Sequence, residues 1–274
     1  MATLNALLAR VVDGFLSPFE DASPLVGLAV VSLVSAIGML LVVRATSDQA
    51  RIAAVKRTLQ ACVFEIRLFN DDASAMLRAL GEMLRHNLTY LRLAMVPVLW
   101  MAVPFGLLLA QLQFHYGYDG LAVGRQAVVT ARIKQSSSSS GPAARLIAPP
   151  GIRIETPPVW IPSIREVAWR VAAEKTGDYV LNVQIGVDVF PKTVRVSDAV
   201  VRLSPLRIEG TLVNQLLYPA EPPLPVGAAV ESIAVTYPRR AISILGRDIH
   251  WMVVFFALSM IFALALRRPF NVVL

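Results

Sequence analysis

Three stretches of this chain, 25–43, 93–112 and 249–266, contain no Asp, Glu, Lys or Arg, and they limit what it can fold into more than any other feature. A helix rises about 1.5 Å per residue, so the nineteen residues of 25–43 cover roughly the 30 Å hydrocarbon core of a bilayer. Pro24 and Arg44 bound the first run, Arg92 and Gln113 the second, and Arg267 and Arg268 close the third. A soluble chain of 274 residues is not expected to bury three such helices. Composition agrees, with 55% hydrophobic and only 16% charged residues, against about 25% charged in an average soluble domain. A disordered chain, a collagen and a disulfide-stapled miniprotein are all excluded, the last because Cys62 is the only cysteine. The first run starts late, is long and lacks a basic leader, so it reads as an anchor and not as a cleaved signal peptide.

The arginines orient the spans. Short loops follow the positive-inside rule, whereas long domains cross regardless of charge. Arg44, Arg51, Lys56, Arg57, Arg85 and Arg92, with the Arg267–Arg268 pair, place segment 44–92 and the tail 267–274 in the cytoplasm. The N-terminus and segment 113–248 then lie outside, as expected for a protein of a bacterial inner membrane. The pI of about 10.0 reflects this topology. No segment carries a basic stripe with stacking aromatics, so DNA is not an expected partner.

Segment 44–92 reads as a helical hairpin. Ile52, Val55, Leu59, Cys62, Ile66 and Phe69 follow the alternating three-and-four spacing of a coiled-coil seam. Asn70-Asp71-Asp72 breaks the pattern and supplies caps for a second arm. That arm carries Leu77, Leu80, Leu84, Leu88 and Leu91 on one stripe, with Met76 and Met83 beside it, and runs into the second span (93–112) without a break before Pro97. A working coiled coil and a plain packed linker both fit this spacing. Ahead of the first span (24–43), Leu4, Leu7, Leu8, Val11, Val12 and Phe15 recur at helical spacing, so 1–18 reads as an amphipathic helix in the outer interface or a simple N-terminal anchor.

The outside helix, a first span, a cytoplasmic coiled-coil hairpin, a Pro-containing second span and a third span ending inside together resemble the YidC/Oxa membrane-protein insertase superfamily. They are most similar to its minimal three-span form, that of the third subunit of the endoplasmic-reticulum membrane protein complex and its archaeal relatives. The likeness covers 1–112 and 249–274 and rests on order, orientation and lengths. It implies a hydrophilic notch between splayed spans that lets a polar client segment cross the low-dielectric layer. The client-contact residues it implies are Ser32, Ser35, Met39, Arg44, Met76, Met83, Arg92, Met95 and Met101, the thioethers because their chains repack around varied helices. Two departures stand out. Bacterial members carry an arginine within the first core span, where this chain has only the polar Ser32 and Ser35, its arginines Arg44 and Arg92 standing at the cytoplasmic mouth. The long insertion between the second and third spans is the other.

From residue 121 the period changes to two. Ala127, Val129, Ala131 and Ile133 alternate with Gln126, Val128, Thr130, Arg132 and Lys134, and Val167, Trp169 and Val171 follow the same spacing. Segment 135–150 reads as a linker, and a long strand is expected through Tyr179, Leu181, Val183, Ile185, Val187 and Val189. Further strands are expected at Val194/Val196, 208–213 and Ile233/Val235/Tyr237. Thirteen of the eighteen prolines fall in 113–248, as short strands with many turns require. The fold class is therefore an α-helical membrane protein with three spans and a cytoplasmic hairpin, plus an inserted all-β sandwich, loosely immunoglobulin-like, with Gly177-Asp178-Tyr179 as its corner.

No nucleophile-elbow, Walker A, dinucleotide or zinc-protease pattern occurs, and His86, His115 and His250 do not share a compartment on this topology. Neither an enzyme, nor a cofactor, nor a metal is expected. Two functions remain open. One is an insertase-like protein or membrane chaperone whose partners are the bilayer, nascent client membrane proteins and the ribosome, with an exterior protein bound by the sandwich. The other is a membrane-anchored sandwich serving as a scaffold subunit of an envelope complex.

Overall fold

The computed structural model describes residues 2–68, 73–134, 141–244, 246–270 and 272. Four helices come first: α1 (Ala2–Leu16), α2 (Pro24–Thr46), α3 (Gln49–Leu68) and α4 (Ala73–Tyr116). Seven strands follow: β1 (Gln126–Ile133), β2 (Ala144–Ile147), β3 (Ile152–Ile154), β4 (Val159–Ile161), β5 (Glu166–Ala173), β6 (Gly177–Ile185) and β7 (Asp188–Val196). Then come β8 (Leu206–Ile208), α5 (Leu212–Leu217), β9 (Val230–Val235), β10 (Ala241–Ile244), β11 (Arg247–His250) and α6 (Trp251–Leu266). The chain divides into two compact units: Met1–Gly27 with Leu107–Val254, and Leu28–Gly106 with Phe255–Leu274.

In the first unit, a six-stranded antiparallel sheet runs β3-β5-β1-β9-β8 with β4 also on β5, and a three-stranded sheet runs β2-β6-β7. Both contribute to one core, where Val129, Trp169 and Ile233 meet Leu181, Val183 and Val194. On β1 the period-two expectation is met: Ala127, Val129, Ala131 and Ile133 are buried. The Tyr179 hydroxyl donates to the Lys175 carbonyl at 2.9 Å, closing the corner between β5 and β6.

Three strand expectations are corrected. The strand through Val187 and Val189 is a hairpin, in which Ile185 pairs with Asp188 across Gly186-Val187. Gly186 has φ +63°, as the first position of a II′-type two-residue turn requires. The turn shifts the phase, so β6 buries odd positions and β7 buries Phe190, Lys192, Val194 and Val196, while Val187 stands 94% exposed at the tip. Segment 208–213 is not a strand: β8 ends at Ile208, and the Thr211 hydroxyl accepts from the Asn214 N–H to cap α5. Part of the linker at 135–150 is strand β2, which pairs with β6, and 135–140 lie outside the described residues.

In the second unit, α2 and α4 contain, among the described residues, the two segments long and apolar enough to cross a membrane; α6 is a shorter apolar helix. The third run begins later than expected, because Ile249 and His250 belong to β11. The second arm and second run are one helix of 44 residues that passes through Pro97 and Pro104. Helix α2 buries Leu28, Ser32, Ala36 and Leu40, and α6 buries Phe255, Ser259 and Ala263. Spacings of four put each set on one face, and the small side chains allow close helix approach. The Ser32 hydroxyl donates to the Phe255 carbonyl at 3.4 Å.

The seam of α3 is partly as expected: Ile52, Val55 and Cys62 are buried and Leu59 is half-buried. Ile66 lies in the last turns of α3, while Phe69 and the Asn70-Asp71-Asp72 break fall outside the described residues. The second arm differs. Leu77, Leu84, Leu88 and Leu91 are exposed, Leu84 to 66%. The half-buried face of α4 holds Met76, Met83, His86 and Tyr90 instead. The Lys56 ammonium sits 5.6 Å above the Tyr90 ring, which marks that face as the one toward α3.

Candidate functional site

The expected client-contact residues differ in exposure. Ser32 is fully buried and its hydroxyl is engaged by α6. Ser35 is half-buried, and Met39, Arg44, Arg92 and Met95 are exposed. Met76 and Met83 line the half-buried face toward α3, and Met101 lies on the same side of α4 further along. The helices place these residues by simple periodicity: 76, 83, 90, 97 and 101 share one face of α4, while Met95 stands with the leucines on the other. Within the apolar stretch 93–106, Pro97 alone is buried, whereas Val98, Leu99, Trp100 and Val103 are exposed. Phe105 contacts Phe255 and Phe256 of α6, each at 5.9 Å between ring centres. Ser259, which no sequence motif marks, adds to the face of α6 that carries Phe255 a buried hydroxyl without a hydrogen-bond partner among the described residues.

A polar cluster that the sequence reading did not assemble ties α1 to the end of α4 in the first unit. Asp13 Oδ1 lies 2.8 Å from His115 Nε2 and accepts from Arg202 Nε at 2.9 Å. Arg202 also donates to Gln111 Oε1 at 2.7 Å. Burial works against ionisation of Asp13, but His115 and Arg202 outweigh it and hold its carboxyl below the usual range. His115 Nδ1 is buried with no hydrogen-bond partner among the described residues. A neutral ring that donates from Nε2 satisfies this site, since a second N–H would be stranded. Arg240 binds the Asp119 carboxylate at 2.6 Å and the His115 and Ala199 carbonyls at 3.3 and 3.4 Å. A cleft of about 380 Å³ beside it is lined by Glu20, Asp21, Asp119 and Asp198. Among the described residues no His, Cys, Asp or Glu side chains converge as three metal ligands would.

A second buried cluster belongs to the sandwich. Lys192, at a core-facing position of β7, donates to Ser204 O and Oγ at 2.7 and 2.8 Å and pairs with Glu221. Burial pulls the Lys192 ammonium down to about 8 against the pull of Glu221. With all three donors used and a carboxylate in contact, this lysine holds the 203–224 segment in place and is no poised base for Ser204.

Comparison with protein-family models, curated proteins and solved structures finds no match. The site is therefore interpreted from its own chemistry. Among the described residues, neither cluster brings a nucleophile, a base and an oxyanion donor together at an accessible position. The site offers exposed apolar helix surface with thioethers, and hydroxyls between α2 and α6.

Proposed function

We propose that the chain is an integral membrane protein of the insertase-like or membrane-chaperone class, in which α2, α4 and α6 span a bacterial inner membrane. The N-terminus and the sandwich lie outside, and the α3–α4 hairpin and the C-terminus lie in the cytoplasm. The observation that carries this reading is the thin cover on α4 in its apolar stretch: within 93–106 only Pro97 is buried, Leu93, Ala94, Met101 and Phe105 are half-buried, and the other nine residues are exposed. A span that serves only as an anchor in a tight bundle buries a continuous face at every third or fourth residue. A span covered this thinly leaves room for a client helix beside it, with Met95 and Met101 as adaptable contacts. The hairpin would reach ribosome-bound nascent chains.

A second reading has an observation of its own. The sandwich has a complete core, and its entry and exit strands meet where Tyr118 pairs with Arg239. This supports a self-contained, loosely immunoglobulin-like module that binds an exterior partner, with the helices as anchors. Photocrosslinkers at Met95 and Met101, in ribosome–nascent-chain complexes carrying a client span, test the first reading; Ser32 is too buried to serve. Crosslinks to the client are the expected result. None from either site, together with capture of an envelope protein by crosslinkers on the sandwich, would favour the scaffold.

A further inference from the structure

We infer that α5 is a bilayer-docking element of the sandwich, seated beside α1 in the outer leaflet of the membrane that the preceding reading assigns to α4. Segment 210–220 contains no charged residue, and on α5 Val213 and Leu217 are 62% and 53% exposed. Spaced by four, they share one face of the helix. Helix α1 lies against α5. It too presents an apolar stripe to the outside, Leu7, Val11 and Phe15, again spaced by four. Facing water, these side chains would form the kind of apolar patch that soluble surfaces avoid.

Their height is set by the end of α4. The second apolar run closes at Leu112, and the Phe114 ring lies two residues further on, 6.3 Å from the ring of Tyr218, which follows the last residue of α5. Two residues of helix advance only about 3 Å. Asp13 fastens α1 to His115 in the same turn, and Arg202 reaches from the sandwich to Gln111. Both short helices are thus pinned to the turn at which α4 leaves the hydrocarbon. That is the level where interfacial helices bury an apolar face and where tyrosine is favoured. An outer-leaflet surface is the occupant this placement selects, since both helices are fastened at the level where α4 leaves it.

The test uses the full chain with Cys62 replaced by alanine and single cysteines carrying nitroxides at Val11, Val213 and Leu217. Val187 at the sandwich tip is the aqueous reference and Trp100 in α4 the lipid reference. In phosphatidylcholine vesicles containing phosphatidylglycerol, the accessibility ratio of oxygen to a nickel chelate is measured at each site. The expected result is a ratio at Val213 and Leu217 several-fold above that at Val187 and close to that at Trp100. Values matching Val187, with Trp100 still in lipid, overturn the docking of α5 and leave the membrane reading intact. Shielding of both sites from both reagents also overturns it, because protein then covers the helix. An aqueous ratio at Trp100 overturns the membrane reading and this inference with it.

Discussion

Lys192 is a lysine at a strand position whose neighbours Phe190, Val194 and Val196 all point into the core. It is tolerable there only because Glu221, Ser204 and the Thr193 N–H complete the cluster. Removing one partner of a buried ion pair strands the other, at about 3–5 kcal/mol. E221Q is therefore expected to raise hydrogen exchange on β7 and on 203–224 sharply, while K192M/E221Q recovers most of the loss. Acid should act on the same point. Burial disfavours the Glu221 carboxylate, but Lys192 and the hydrogen bonds hold it below its ordinary value of 4.5. A carboxyl depressed in the folded state adds stability above that value and loses it as pH falls through the folded one. Protection factors on β7, which correct for the intrinsic pH dependence of exchange, should thus fall on acidification below about 4.5 in the wild type, and this pH response should be absent in the double variant. Asp13 is a milder case, being 44% exposed. D13N should cost only about 1 kcal/mol after solvent screening, read as faster exchange in α1 with the sandwich unchanged.

At the scale of elements, the hairpin arms separate two apolar stripes. Val55 is on the buried seam of α3, so V55D should splay the arms by placing a charge where water is excluded, at about 1–3 kcal/mol or more. Leu84 is on the exposed stripe, so L84S should leave the arms paired. Distance measurements between labels on α3 and α4 check both, and the reverse outcome would restore the leucines to the seam. In the sandwich, Gly151 has φ +108°, and a Cβ there would overlap the Tyr179 hydroxyl. G151A should therefore destabilise the β5–β6 corner by about 1–3 kcal/mol, seen as a lower unfolding temperature of the full chain.

For the whole molecule, the Tyr118–Arg239 bridge has a direct consequence. The ends of the insertion are neighbours, so replacing 120–237 with a short Gly/Ser turn should leave the three apolar helices able to insert. Helix α1 should be loosened but stay attached, because Arg202 leaves with the sandwich while the Asp13–His115 contact remains. If the helical part is the client-binding part, crosslinks from Met95 survive this excision; their disappearance would assign the function to the sandwich. Reporter fusions in the arm connection near residue 70 and in the 135–140 segment should report opposite sides of the membrane.

The apolar runs, the arginines that flank them and the period-two patterns were legible because each is a local property. An uncharged run of about twenty residues favours a long apolar helix, as in α2 and α4, and alternation along β1 or β5 follows from a strand with one buried face. What escaped was whatever depends on phase or on distant partners. Alternation through Val187 and Val189 looked continuous because a two-residue turn can exchange odd for even positions without interrupting the apolar count. The leucines of α4 looked like a seam because a helix with two apolar stripes does not say which one its neighbour takes; Tyr90 beneath Lys56 decided that. Asp13, His115 and Arg202 could not be joined from sequence, since Asp13 and Arg202 stand 189 residues apart and only the folded chain brings a carboxylate, an imidazole and a guanidinium to one turn of α4. Local periodicity determined the elements and their surfaces. Tertiary packing decided which surface each one spends on the core, because burial is a property of pairs of elements and one helix or strand contains only half of it.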